Sequence, residues 1–221
     1  MADRIPLFPL GTVLYPGLVL PLHVFEDRYK LLVARLTEGG ADAPEGFGVV
    51  AIRLGRESGV DGVSALHDVG CLAELRELTP MDDGRFDLVT TGSRRFRLLA
   101  VDTSEPYLQG DVEWLEEPEG DAAAVLARSV AARFLAYRAM LLGAPRGQTQ
   151  VDLPRRPTVL SYAVAASMVL DLLDQQELLA APDTTTRLRL ELGLLRREAA
   201  LLRQLPSLPG VELARQPAPP N

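Results

Sequence analysis

The chain has 221 residues, a net charge of −7 and one cysteine, Cys71, so it can form neither an internal disulfide nor a four-thiolate zinc or iron–sulfur site. Of its 23 cationic residues 22 are arginine, and the only lysine, Lys30, stands in Arg28-Tyr29-Lys30-Leu31 without the glycine loop or following Ser/Thr of a phosphate-binding P-loop; neither ATPase nor serine–lysine protease machinery can be assembled around it. Residues 1–118 carry 11 cationic and 20 acidic side chains against 12 and 10 in residues 119–221, and an acidic first part repels phosphate backbones, which disfavours nucleic acid as a partner.

Residues 6–30, PLFPLGTVLYPGLVLPLHVFEDRYK, place prolines at 6, 9, 16 and 21 inside an apolar run. Each proline removes a backbone donor and fixes φ, so Ile5 to Leu22 is expected as short edge strands and turns, not as a helix. The same prolines interrupt the apolar stretch a signal peptide needs, and no window supplies the roughly 20 apolar residues of a membrane span, so a soluble, cytoplasmic protein without membrane partners is expected. Tyr15-Pro16-Gly17-Leu18 reads as a type II turn, with glycine taking the positive φ. From Phe25 the spacing of Phe25, Tyr29, Leu32, Val33 and Leu36 becomes helical, with Glu26 and Asp27 in the first turn, where the helix dipole favours acid.

A glycine- and acid-rich loop over 38–46 leads to Phe47–Leu54, suited to a buried strand, and residues 55–68 read as a long turn. Strands are expected over 69–79, 85–91, 95–101 and 107–115, the first two joined by Asp82-Asp83-Gly84. Cys71, Ala73 and Leu75 share one face of the first, and Cys71 reads as a small core hydrophobe, with no cation near it in sequence to lower its pKa. In Arg95-Phe96-Arg97-Leu98 the apolar side chains point one way and the arginines the other, the pattern of a half-buried antiparallel strand. About six short strands at this spacing suggest a small barrel or a pair of packed sheets, closed by the helix from residue 26.

Past Glu116-Glu117-Pro118 the composition turns to alanine and leucine, which puts a boundary between a β domain, 1–118, and a helical bundle, 119–205, followed by a proline-rich flexible tail, 206–221. Helix 121–142 carries Leu126, Val130, Phe134, Tyr137 and Leu141 and stops at Gly143. Helices are also expected at 158–169, 174–181 and 184–205, the last with Leu188, Leu192, Leu195, Ala199 and Leu202 spaced for packing within the bundle.

Several stretches together resemble the N-terminal, substrate-recognition domain of the Lon family of ATP-dependent proteases: Pro6-Leu7-Phe8-Pro9-Leu10; Pro21-Leu22-His23-Val24-Phe25-Glu26-Asp27-Arg28-Tyr29; Val69-Gly70-Cys71-Leu72-Ala73; Asp83–Leu88 with Gly92 and Arg95-Phe96-Arg97; and Gln175–Leu179. The family usually has proline in the place of Asp27 and often lysine in the place of Gln175. The resemblance runs over residues 4–205 and implies an α+β architecture: a β domain like that of pseudouridine synthase and archaeosine transglycosylase (PUA-like), built as a small barrel or packed sheets with one helix, then an α-helical bundle.

By that resemblance the chain is expected to be a stand-alone, non-catalytic protein-binding module, an adaptor or regulator of proteolysis, with no catalytic residue, cofactor or metal. Its expected partners are unfolded or hydrophobic polypeptide segments and a Lon-type or other AAA+ protease; weak homo-oligomers are compatible. Candidate contacts are Leu14, Tyr15, Leu18 and Trp114, for each of which core packing is the heavier reading. An alternative is RNA binding, motivated by the PUA-like fold and Arg94, Arg95 and Arg97. A hydrolase assembled around His23 or His67 is the third; neither histidine sits in a metalloprotease motif, and His23, at an apolar strand end, reads as packed or capping.

Overall fold

The computed structural model describes residues 3–38, 40, 44–55, 63–143 and 151–204. In chain order they form β1 (Asp3–Leu10), β2 (Val19–Val24), α1 (Asp27–Glu38), β3 (Phe47–Gly55), β4 (Val63–Leu66), β5 (Val69–Pro80), β6 (Phe86–Asp102), β7 (Gln109–Trp114), α2 (Ala123–Leu141), α3 (Pro157–Ser167), α4 (Leu172–Ala180) and α5 (Thr184–Gln204). The turn between β1 and β2 is as expected, with Gly17 at φ 80° and the Leu18 amide donating to the Tyr15 carbonyl. The proline-rich tail expected at 206–221 lies outside the described residues.

The seven strands make one mixed sheet whose pairings return on themselves. β1 pairs antiparallel with β7 through Asp3–Pro6 and parallel with β3 through Leu7–Leu10. β7 pairs with β6, β6 with β5 and β5 with β3, which closes the circuit. The proline argument for an edge strand fails for β1. Each of its registered residues faces a single neighbour, β7 first and then β3, and such a strand tolerates Pro6 and Pro9 in the body of a sheet. Only β2, paired with β6, and β4, paired with β3, stand off the circuit.

Two further expectations change. Strands 85–91 and 95–101 are one 17-residue strand, β6, which holds β2 and then β7 on one flank and β5 on the other. Gly92 is the joint that permits this: an added Cβ there would lie 2.3 Å from the Tyr15 carbonyl oxygen, so the first turn packs directly on the strand. The long turn expected at 55–68 contains β4, whose four residues are too short for alternation to signal a strand.

Inside the circuit, one residue set from all five strands packs together: Ile5 and Leu7, Val50, Leu72, Phe96 and Val112. The interior is narrow enough to demand glycine. A Cβ at Gly48 would meet the Phe96 ring at 2.6 Å, and one at Gly70 would meet it at 2.4 Å and the Val49 carbonyl oxygen at 2.6 Å. The alternate residues of the same strands, Phe8, Phe47, Val49, Cys71 and Ala73, face outward and are covered by Tyr29, Leu32 and Val33 of α1. Phe8 stacks on Tyr29 with ring centroids 4.0 Å apart. Phe25, expected on the same helical stripe, precedes α1 and is exposed.

The helices pack as the leucine spacing implies. Val130, Phe134 and Tyr137 of α2 meet Leu188 and Leu195 of α5 and Leu160 and Val164 of α3 in one apolar core, although Leu141, at the end of the α2 stripe, is exposed. The backbone after β7 leads straight into this body: the Pro118 and Glu119 carbonyls accept the Thr184 and Thr185 amides, so the strand exit fills the unsatisfied amino end of α5.

Candidate functional site

The four residues expected at a contact surface do not share one. Leu14 and Tyr15 are each 3% exposed: Leu14 lies in the core beneath α1, and Tyr15 lies between sheet and helices. Tyr15 donates its hydroxyl to the Gln175 carbonyl at 2.9 Å and faces Tyr162 with ring centroids 5.9 Å apart. Leu18 is half-buried beside it. Trp114 is elsewhere, at one mouth of the strand circuit, edge-on to Phe96 with its indole N–H donated to Asp3. The Arg94 guanidinium lies 4.1 Å over the Trp114 ring and donates to Glu45, so an aromatic face, a cation and a carboxylate meet at one place. With Ile5, Gly46 and Leu72 they line an open cleft of about 440 Å³.

The residues around Tyr15 form a buried polar joint between sheet and bundle. Arg95, expected on a solvated strand face, is 1% exposed because α4 covers that end of β6. Its guanidinium donates to the Leu179 and Ala181 carbonyls at 2.7 Å each, to the Glu116 carbonyl at 3.0 Å and to the Glu117 carboxylate. Arg187 of α5, fully buried, donates to the Leu178 carbonyl at 2.9 Å, the Ser161 hydroxyl at 3.2 Å and Glu117 at 3.5 Å, and lies 3.9 Å over the Tyr162 ring. Two arginines from different elements thus grip the last carbonyls of α4, where the helix dipole is negative and carbonyls lack intrahelical partners. Tyr162 donates its hydroxyl to Glu117, and Gln176 donates to the Val69 carbonyl of β5 at 2.8 Å.

Glu191 was missed by sequence reasoning, yet its place was legible. It falls three residues after Leu188 and four before Leu195, inside the buried stripe of α5. Both its oxygens are buried without a hydrogen-bond partner among the described residues. Burial pushes its carboxyl well above the usual range, with Arg187 opposing. A raised folded-state value means the protonated form is the one the fold accommodates: its contribution is fully present below the unfolded value and is lost as pH rises through the folded one. Glu191→Gln is therefore expected to raise the urea midpoint at pH 8 relative to wild type, with the gain shrinking toward pH 5; an equal shift at both would remove the ionisation argument.

The remaining reactive side chains are occupied otherwise. His23 is exposed, not packed, with Nδ1 2.7 Å from Asp87 and Nε2 3.2 Å from Arg85. Among the described residues, the small recess it lines with Phe25 and Tyr29 contains no Ser, Thr or Cys. Burial and the charge of Arg53 push His67 down, with Asp68 opposing. Burial pushes the Cys71 thiol up to about 12, so it is no thiolate. Among the described residues no group of three His, Cys, Asp or Glu could hold a metal, and no helix is long and apolar enough to cross a membrane. Arg94, Arg95 and Arg97 present no common cationic face: Arg95 is internal, Arg94 pairs with Glu45 and Arg97 with Glu113.

A strand circuit with one covering helix thus meets a four-helix unit through the Arg95, Glu117 and Arg187 joint. The sequence profile of the ATP-dependent protease La (LON) substrate-binding domain matches residues 4–197, and the chain belongs to that family. It is similar to a Lon N-terminal domain protein from Xanthomonas campestris of known structure, with TM-score 0.60 and 25% identity over 86% of this chain and 98% of that one. It is also 28% identical over 205 residues to Lon protease of Escherichia coli K12, covering 90% of this chain and 25% of the relative. Lon protease 2 of Syntrophobacter fumaroxidans is 26% identical over 194 residues, covering 85% of this chain and 24% of the relative. The chain thus spans about a quarter of the length of these proteases.

Proposed function

We propose that this chain is a non-catalytic polypeptide-recognition module that acts as an adaptor or regulator for a Lon-type or other AAA+ protease in the cytoplasm. One observation carries the reading: the residues matched to a substrate-binding domain leave large apolar side chains, Phe25, Leu99 and Val101 among them, exposed around open clefts. The closed pairing of β1, β7, β6, β5 and β3 supports a PUA-like small barrel over 1–118, carried on the helical bundle over 119–205. Of the four contacts expected from sequence, Trp114, half-buried like Leu18, lines an open cleft and suits a partner; Leu14 and Tyr15 are buried and Leu18 packs beside Tyr15.

The test is calorimetric titration with a reduced, carboxymethylated globular protein as a permanently unfolded probe, set against the same protein in its native form. Micromolar binding of the unfolded form alone is expected. Equal affinity for both, or for neither, would overturn the reading.

A further inference from the structure

Two exposed apolar residues of the β part, Leu99 and Val101, lie together toward the mouth of the circuit opposite Trp114. There the antiparallel pairing of β5 with β6 ends at Val69 and Arg97, and the last bond across it is the Leu98 amide to the Asp68 carbonyl at 2.8 Å. Beyond that point the two chains diverge. On one side β4 turns to β3, pairing through Ile52 with Leu66 and Leu54 with Ala65. On the other, β6 continues to Asp102, paired with β7 alone. Between them lies an open slot of about 390 Å³, lined by Ala65 and Leu66 on the β4 side and by Leu98, Leu99 and Val101 on the β6 side, with Leu108 at its base. Among the described residues, both walls are strands whose flanks toward the slot carry no ladder partner.

A β-bulge shapes the apolar wall. Leu98 registers with Val112 and Ala100 with Asp111, so Leu99 is an extra residue in β6. Bulges re-aim side chains, and here Leu98 and Leu99, neighbours in sequence, both face the slot. Leu99 is 55% exposed and Val101 43%. An exposed strand flank beside apolar side chains is the arrangement by which a sheet accepts an additional strand: main-chain bonds hold the guest and alternate side chains select it.

We infer that the slot between β4 and β6 is a strand-addition site for an extended apolar segment of a client polypeptide with basic flanks. The inference rests on the polypeptide-recognition reading and names its site. Unpaired backbone on both walls calls for an extended main chain, since a helix spends its amides and carbonyls internally. Leu98, Leu99, Val101 and Leu66 call for apolar side chains on it. Charge complementarity sets the flanks: among the described residues Asp68 is the only ionisable one lining the slot, and residues 1–118 carry 20 acidic against 11 cationic side chains.

The probe is a fluorescent eight-residue peptide of alternating Val and Thr with a lysine at each end, measured by anisotropy against wild type, Leu99→Asp, Val101→Asp and, as an exposed control on the bundle side, Val169→Asp. Circular dichroism checks that each variant is folded. At least tenfold weaker binding is expected for the two slot variants, and for a peptide with alternate amides N-methylated; glutamate-ended peptide should bind several-fold more weakly, and Val169→Asp should bind as wild type. If wild type binds the peptide but neither slot variants nor N-methylation weakens it, the slot is wrong while the recognition reading stands. If wild type binds neither this peptide nor the unfolded protein, both fall. A doubled solution mass that reverts to monomer in Leu99→Asp would make the occupant a second copy and overturn the client assignment.

Discussion

Replacing Arg95 with alanine is expected to cost about 3–5 kcal/mol of stability, the range for removing one partner of a buried ion pair. Arg95 fills one space with four acceptors, the carbonyls of Glu116, Leu179 and Ala181 and the carboxylate of Glu117. Truncation leaves them in a joint from which water is largely excluded, and an unsatisfied buried carbonyl costs more than a made bond contributes. Loss should also be directional. With the carbonyl end of α4 released from β6, Arg187 alone holds it, so the helices should unfold at lower urea than the sheet. Ellipticity at 222 nm and the near-ultraviolet signal of Trp114 should then separate into two transitions. Arg95→Lys restores the charge but not the planar fork, and should recover only a minor part of the loss. A loss below about 1 kcal/mol for Arg95→Ala, within the range of a surface pair, would show that the joint does not depend on this residue.

The second large effect belongs to the interior of the strand circuit. Phe96→Ala is expected to destabilise by about 3–5 kcal/mol, since the ring is fully buried among residues from every strand of the circuit. Gly48→Ala alone should cost about 1–3 kcal/mol by overpacking, because its methyl would sit 2.6 Å from the Phe96 ring and within 3.0 Å of Ile5 and Leu7. All three obstacles are side-chain ends, so the double variant should lose less than the sum of the single losses: the methyl enters space the ring vacated. Urea unfolding of the four proteins of this cycle measures the coupling, with roughly 0.5–3 kcal/mol of compensation expected. Strict additivity would mean that the ring does not set the need for glycine at position 48.

These two sites differ in how far the sequence exposed them. Phe96 alternates with its neighbours, and its burial follows from period-two reasoning. Arg95 obeys the same alternation and was assigned to solvent by it, because alternation assigns faces and is silent about what covers each face. The covering element, α4, lies more than 75 residues later in the chain. The helices were legible within a few residues, since each carries an apolar stripe and all but α3 are followed closely by Gly or Pro. β4 was not, being four residues without a repeat. β1 was recognised as a strand from its prolines but misplaced at an edge, because its two halves serve different neighbours, a property of sheet closure that no local pattern records. Leu99 lies beyond local inference for a related reason: it reads as one more apolar residue in Phe96–Val101, and only the slipped register opposite Val112 and Asp111 turns it outward.

Lys30 was first of interest for the chemistry that one lysine cannot support. Its position gives the same scarcity a practical meaning. It sits in the first turn of α1, half-buried, with its amine 3.1 Å from Asp27. As the only side-chain amine in 221 residues, it is a single chemical address on a folded surface. A dye or isotope introduced by acylation would mark one helix and nothing else among the side chains, making α1 observable in mixtures where every other helix is silent.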